Sequence, residues 1–305
     1  MTDKEFLPDA VQWSEGMLLS PQHFQQNDIH AQAMMQQRLA SLTPHVWGVR
    51  HLLLDTTRLV DGLIKVVECD AVLPDGLPLV FRSSQSGRDL SLKVEPKSGS
   101  DGRPEPVRVF LAIPPRAGAK PGIATGSRTA HRRYESLPGV ETLDEVTGIG
   151  DVVVERQRAC IDLFADNVPD GYDALPLLEI IRDAYGAVSL TRYHPPMFRI
   201  GASAFLGAHG LQQQFAALRD DLWNKLRELA GSSEDDAPES VAVLGNTERM
   251  HLRIAREIAA CLPLVDTLLF DPLSSPQPAW WAMAQIVGRM AAIGGNPRPL
   301  KMDPY

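Results

Sequence analysis

The stretch LSLKVE at residues 90–95 places apolar side chains at every second position, and VRVFLAI at residues 107–113 is apolar over most of its length. Strict alternation is typical of a half-buried β-strand, and a short apolar run is typical of a strand buried on both faces. Residues 63–73 and 152–164 are further strand candidates, and turn signals with Gly or Pro separate all these runs. The spacing predicts that residues 45 to about 197 form a β-sandwich or barrel rather than a parallel α/β sheet.

The motif YHPP at residues 193–196 marks the end of the β-rich region, because two prolines force an extended backbone and exclude a helix. We therefore divide the chain into a β-rich domain of residues 1–198 and a helical domain of residues 199–305. In the second domain we predict three helices, the second ending before Pro263 and the third beginning after two prolines: about residues 209–230, 239–262 and 279–293.

The first of these three helices carries one apolar row, with members four, three, four, four and three residues apart: Leu211, Phe215, Leu218, Leu222, Leu226 and Leu229. This spacing is close to that of a coiled-coil seam. The pattern leaves two structures open with equal weight. The row forms the core of a bundle within one chain, or it joins copies of the chain.

A helix is also predicted near the start of the chain, over about residues 21–42. Ser20 is a favoured N-cap, and Pro21 is tolerated at the first helical position because its missing N–H is not needed there. His23 occupies the third helical position, where a capping box has Glu or Gln. We therefore expect no capping box at this helix.

Three large apolar side chains lie close together in this region: Trp13, Met17 and Phe24. Such groups are not left free in water, so the segment must dock on something. We expect one side of the helix, with Phe24, Met34 and Leu39, to pack on the β-rich domain. We expect the extended strip of residues 11–17 to lie near a neighbouring subunit or another protein. The alternative is that the whole segment packs within its own subunit.

Composition excludes several classes of function. The 305 residues carry a net charge of −8, which argues against binding to nucleic acid or to an anionic membrane surface. Three cysteines lie far apart in apolar runs, as expected for reduced, buried thiols of a cytosolic protein. With no leader pattern and no apolar run of about 18 residues, we expect a cytoplasmic protein without membrane insertion. One basic cluster is expected to be a solvated strand or loop: Arg128, His131, Arg132 and Arg133.

Catalytic patterns are missing from the sequence. Gly148 and Gly150 are not followed by the last glycine of a dinucleotide fingerprint, and Ser203 lacks the closing glycine of a nucleophile elbow. His23 and His30 could share a helix face, but without nearby Cys or carboxylate partners they indicate polar surface rather than a metal site. We therefore expect a protein that is not an enzyme, with no cofactor and no metal.

The stretch VQWSEGMLLSPQHFQQ at residues 11–26 strongly resembles the opening of the TssK family, the baseplate subunits of bacterial type VI secretion systems. Residues 132–134 (RRY), with the acidic turn and strand that follow, resemble the central block of that family, and residues 175–196 resemble the segment before its stalk. Two departures are LTR at residues 190–192, where the family favours Asp, and the end of this chain at Pro304-Tyr305, where the family continues into a C-terminal head.

This resemblance implies a homotrimer with a β-sandwich shoulder, like that of phage receptor-binding proteins, followed by a helical-bundle neck. It implies a non-catalytic adaptor whose shoulder attaches to the TssF–TssG wedge, while the missing head contacts the TssJ–TssL–TssM membrane complex. It also favours self-association for the apolar row. The alternative, a phage-like ligand- or carbohydrate-binding sandwich protein, is disfavoured because only 6% of residues are aromatic. The implied protein-interface candidates are Val11, Trp13, Glu15, Gly16, Met17, Pro21, Gln22, His23 and Phe24.

Overall fold

The computed structural model describes residues 7–43, 45–95, 104–116, 123–124, 132–183, 185–202, 210–231, 245–270 and 275–293. The chain divides into two compact units. The N-terminal unit comprises Met1–Val49 and Leu54–Pro196, and the C-terminal unit comprises Arg50–Leu53 and Met197–Tyr305. The two units differ in class, since the first contains the sheets and the second contains three long helices.

The first sheet has four strands, and all of them except Arg50–Leu53 of β1 belong to the N-terminal unit: β1 (Gly48–Asp55), β2 (Leu63–Val72), β3 (Pro78–Arg82) and β4 (Leu90–Lys93). Strand β2 pairs antiparallel with β4 through its first half and with β3 through its second half. Its buried side chains change from even to odd positions between Val66 and Cys69, where the partner strand changes. The alternation predicted at residues 90–95 is present, with Leu90 and Val94 buried.

The second sheet has the order β11 (Val188–Leu190), β10 (Asp173–Arg182), β5 (Val107–Ile113) and β9 (Asp162–Ala165), and its three strand pairs are antiparallel. Strand β5 is buried over most of its length, as its apolar sequence predicts. Strand β9 contacts β4 of the first sheet. The prediction of a β-rich region is therefore confirmed. Its fully buried side chains include Leu73, Leu111, Ile113, Leu175, Leu177, Leu178 and Ile180.

A third sheet consists of β6 (Ile123–Ala124), β7 (Tyr134–Thr142) and β8 (Val152–Ala159). Strands β7 and β8 form a long antiparallel hairpin, with a register shift between Leu137 and Val140. The strand predicted over residues 152–164 is thus two strands in two sheets, β8 and β9, because the chain changes sheet at Cys160 and Ile161. Most side chains of the hairpin are exposed. We call its distal part, residues 140–155, the arm.

A predicted N-terminal helix is present as α1 (Pro21–Leu42). The prediction that this helix has no capping box is wrong. The Ser20 backbone N–H donates to Nδ1 of His23 at 3.1 Å, and Ser20 and His23 together form a capping box. A ring nitrogen of His23 therefore takes the place that a Glu or Gln side chain has in the usual motif. A four-residue helix, α2 (Ser83–Ser86), follows β3.

The C-terminal unit contains α3 (Leu211–Gly231), α4 (Asn246–Phe270) and α5 (Pro276–Ile293), and α4 contacts both of the others. The predicted end of the second helix before Pro263 is wrong, because α4 continues through this proline. Burial of Leu262 and Val265 on either side of Pro263 supplies packing that offsets the lost hydrogen bond. Residues 239–244, also predicted as helix, lie outside the described residues.

Helix α5 starts three residues earlier than predicted. Pro276 and Pro278 were expected to precede the helix, but both lie in its first turn. The first backbone N–H groups of a helix have no partner within it, so proline costs little there.

Candidate protein-interaction surface

The segment before α1 is an extended strip that turns at Gly16, whose φ of +76° lies in the left-handed region that favours glycine. The Trp13 ring lies 6.1 Å from the His23 ring and 6.2 Å from the Phe24 ring, between ring centroids. This aromatic cluster folds the strip back onto the first turn of the helix. Trp13 nevertheless remains 45% exposed and Phe24 remains 54% exposed.

All nine interface candidates are at the surface of the chain. Val11, Met17 and His23 are half-buried, and the other six are exposed: Trp13, Glu15, Gly16, Pro21, Gln22 and Phe24. Leu18 and Leu19, which join the strip to the helix, are exposed as well. The strip and the first turn of α1 therefore form one partly apolar surface, which we call the N-terminal patch (residues 11–24).

Helix α1 does not pack as predicted. None of its residues is buried, Phe24 and Leu39 are exposed, and only Met34 of the predicted packing side is half-buried. The side that faces the unit instead carries residues such as Ile29, Ala33 and Gln36, which line a cleft of about 600 Å³. Gln32 and Arg116 also line this cleft, and the Arg116 guanidinium donates to Oε1 of Gln32 at 2.9 Å.

A buried charge cluster lies beside this cleft. The guanidinium of Arg133, 1% exposed, pairs with the Asp75 carboxylate and donates to the carbonyl oxygen of Pro114 at 2.9 Å. Asp173 lies 3.6 Å from the same guanidinium. Burial raises the pKa of Asp173 to about 6, and the nearby charge of Asp75 adds to this effect. The cluster ties the β2–β3 turn to the ends of β5 and β10.

The sequence predicted that the basic cluster of residues 128–133 is solvated, and this prediction is wrong for Arg133. A buried guanidinium must be paired, and its partner Asp75 is 58 residues away in the sequence. In the sequence Asp75 belongs to the turn signal Pro74-Asp75-Gly76, which gives no indication of an ion pair. Arg132 is half-buried, while Arg128 and His131 lie outside the described residues.

Residues of the apolar row lie inside the C-terminal unit. Phe215, Leu222 and Leu229 are buried in the helical core, and Leu218 and Leu226 pack against it. The side chain of Leu211 lies outside the described residues. Two ion pairs connect the helices, Arg219 with Asp266 at 2.6 Å and Arg289 with Glu257 at 3.1 Å. The row thus forms the core of a bundle within one chain, and the outer side chains Trp223, Phe270 and Trp281 stay exposed.

His23 and His30, the two histidines that could share a helix face, make separate contacts. His23 belongs to the capping box, and Nδ1 of His30 lies 2.6 Å from the carbonyl oxygen of Pro8. Within the described ranges, no group of three or more His, Cys, Asp or Glu side chains is placed to hold a metal ion. In the same part of the chain, every helix is too short or too polar to cross a membrane.

Comparison with known proteins identifies a family that matches most of the chain. Residues 23–305 match the family described as "Bacterial Type VI secretion, VC_A0110, EvfL, ImpJ, VasE". Over 129 residues the chain is 36% identical to the type VI secretion system baseplate component TssK1 of Pseudomonas aeruginosa. That alignment covers 42% of this chain and 28% of the relative.

Solved structures share the fold. A crystal structure of TssK matches 96% of this chain with a TM-score of 0.79 and 21% identity, and this chain covers 64% of that one. A chain of the baseplate complex from the type VI secretion system matches 96% of this chain, with a TM-score of 0.73, 19% identity and 92% of its own length covered. The TssK-TssF-TssG baseplate subcomplex, solved by cryo-electron microscopy, contains a chain that matches 93% of this one. The match has a TM-score of 0.68 and 19% identity, and it covers 88% of the chain in the subcomplex.

Proposed function

This chain belongs to the type VI secretion family that includes VasE and ImpJ, and on that premise we propose that it is a structural adaptor of the secretion baseplate. The adaptor forms a homotrimer and binds the TssF–TssG wedge. The β-rich unit is its sandwich shoulder, and the three-helix unit is its neck. The proposed role is assembly, with no catalytic step.

The N-terminal patch is the observation that carries this proposal. It combines exposed apolar side chains, among them Trp13, Leu19 and Phe24, in one continuous segment. Large aromatic side chains are the groups that most often dominate the affinity of a protein interface. A relative of this chain assembles with TssF and TssG in the TssK-TssF-TssG subcomplex, which makes the wedge the partner we assign to the patch.

Trimerisation is supported by the outer surface of the helical unit. Helix α5 is apolar nearly all round, since Arg289 is the single charged residue among its 18. Such a helix is usually buried on all sides, yet Trp281 of α5 is 53% exposed. Because the apolar row of α3 is already used within the chain, the outer side chains Trp223, Phe270 and Trp281 are the ones we assign to contacts between copies.

Binding of the purified chain to a purified TssF–TssG complex from the same bacterium tests the proposal. We expect the unaltered chain to bind. We expect Trp13→Ala to weaken binding by about tenfold or more, which corresponds to about 1.4 kcal/mol, while the chain stays folded. Tyr185→Ala is the matched control, because Tyr185 is an exposed aromatic residue of the same unit outside the patch.

Two results contradict this assignment. If the unaltered chain does not bind the wedge, the proposed function is wrong. If Trp13→Ala lowers the stability of the isolated chain by several kcal/mol while binding per folded molecule is unchanged, Trp13 belongs to the core and the patch is not the interface.

A further inference from the structure

The arm presents an apolar face to solvent. Val140 lies opposite Val154, and Thr142 lies opposite Val152. Residues two apart on a strand share a face, so the three valines and the threonine lie side by side. Val152 is 62% exposed, and Val140 and Val154 are exposed too. The turn that closes the arm adds three further exposed apolar side chains: Leu143, Val146 and Ile149.

No described strand extends this part of the hairpin. Strand β6 pairs with β7 through Ile123↔Tyr134 and Ala124↔Glu135, which lie at its base. Among the described residues, the arm beyond this point is a two-stranded ribbon, and no described strand pairs with either of its edges. A two-stranded hairpin is marginally stable in water by itself, and open edges are sites for pairing with another chain. The arm therefore has the structure of an element that another protein covers.

The turn of the arm is nevertheless well organised. The Asp144 carboxylate accepts hydrogen bonds from the backbone N–H of Val146 at 2.9 Å and of Thr147 at 2.8 Å. Backbone hydrogen bonds of this kind hold the pKa of Asp144 below its ordinary value, because they stabilise the ionised carboxylate. The exposed apolar side chains thus sit on a turn with a defined shape, which favours a specific partner.

Charge identifies the kind of partner. Residues 140–155 contain Glu141, Asp144, Glu145, Asp151 and Glu155, with no Lys, Arg or His. In a cyclic trimer, three such arms are related by symmetry, and contact between them brings like charges together. An anionic membrane surface is excluded by the same repulsion. A complementary surface is apolar and bordered by basic side chains.

We propose that the arm docks on an apolar protein surface bordered by Lys or Arg, contributed by a different protein of the assembly rather than by a second copy of this chain. This inference rests on the proposed function, because the TssF–TssG wedge is the partner that carries the surface. The valines supply buried apolar area, and the carboxylates set the orientation and speed the encounter.

Two paired variants test this in the wedge-binding assay. Val152→Ser with Val154→Ser is expected to weaken binding about tenfold, because it removes apolar area from the contact face. Glu141→Gln with Glu145→Gln is expected to weaken binding at low salt and to flatten its dependence on salt, because fewer charges are screened. Glu141 and Glu145 are exposed, so their replacement should leave the hairpin register intact. The glutamine double variant therefore remains informative if the serine double variant perturbs folding. Val80→Ser, an exposed valine on β3, is the control and should bind as the unaltered chain does.

The outcomes separate this inference from the proposed function. If Trp13→Ala weakens wedge binding while neither arm pair changes it, the arm inference is wrong and the proposed function stands. If the arm pairs lower the sedimentation mass of the chain alone, the occupant is a second copy and the inference is again wrong. If the unaltered chain fails to bind the wedge, both are wrong.

Discussion

Arg133 and Asp75 form an ion pair that is almost completely shielded from solvent, with side-chain exposures of 1% and 9%. The pair joins the start of β7 to the turn between β2 and β3. The same guanidinium reaches the carbonyl oxygen of Pro114 at the end of β5, so one side chain connects all three sheets of the N-terminal unit. A buried charge is tolerated only while its partner is present.

Removal of the guanidinium should strongly destabilise the N-terminal unit. Arg133→Met leaves the Asp75 carboxylate buried and unpaired, which costs about 3–5 kcal/mol of unfolding free energy. Urea unfolding measures the loss, and Arg58→Met, at an exposed arginine, is the control with a change close to zero. Adding Asp75→Asn to Arg133→Met should recover part of the loss. An Arg133→Met variant with unchanged stability contradicts the assigned burial.

The same cluster predicts how stability changes with pH. The pKa of Asp173 is about 6 in the folded chain and about 3.9 in an unfolded one. Between these values the folded state binds more protons, so the contribution of Asp173 to stability rises as pH falls from above 6 to about 4. Asp173→Asn should remove this contribution. Unfolding measured at neutral pH and near pH 5 checks it, and an identical pH dependence in both proteins contradicts the raised pKa.

Leu222 and Trp223 are neighbours in sequence with opposite environments, the first buried in the helical core and the second exposed. Leu222→Ala should cost about 2–5 kcal/mol of stability, because it leaves a cavity between α3 and α4. Trp223→Ala should cost much less stability but weaken association between copies. Thermal unfolding and sedimentation of both variants separate the two effects. Equal behaviour of the pair would contradict the division into inner and outer faces.

The capping box predicts a graded effect at position 23. His23→Ala removes the acceptor of the Ser20 N–H, so the first turn of α1 should exchange its amide hydrogens faster. His23→Gln keeps an acceptor at the same helical position and should restore most of the protection. Because no residue of α1 is buried, local capping has a large share in holding this end of the helix. Faster exchange in both variants alike would show that the acceptor is unimportant.

Local sequence patterns predicted the helices and strands of this fold well, but they did not predict how these elements pack against one another. Alternation at residues 90–95 and the Ser20-Pro21 start were sufficient to predict a strand and a helix, because both signals are local. The continuation of α4 through Pro263 could not be predicted, since it depends on packing against two other helices. The burial of Arg133 was missed for the same reason, because its partners are distant in sequence.

The candidate surface was predicted in part. The sequence identified the N-terminal patch through its large apolar side chains, and the structure places them at the surface. The sequence does not identify the arm, because its pattern over residues 152–164 predicts one longer strand that includes Val152 to Val154. Exposure of a β-strand valine depends on which strands lie beside it, and that is a tertiary property.

The mass of the protein in solution shows whether the chain forms a trimer. Self-association into a closed trimer is the basis of the proposed adaptor. Sedimentation equilibrium should give about 100 kDa, which is three times the chain mass of 33.5 kDa, as expected for a cyclic assembly. A mass of 33.5 kDa that does not change with concentration would contradict the account.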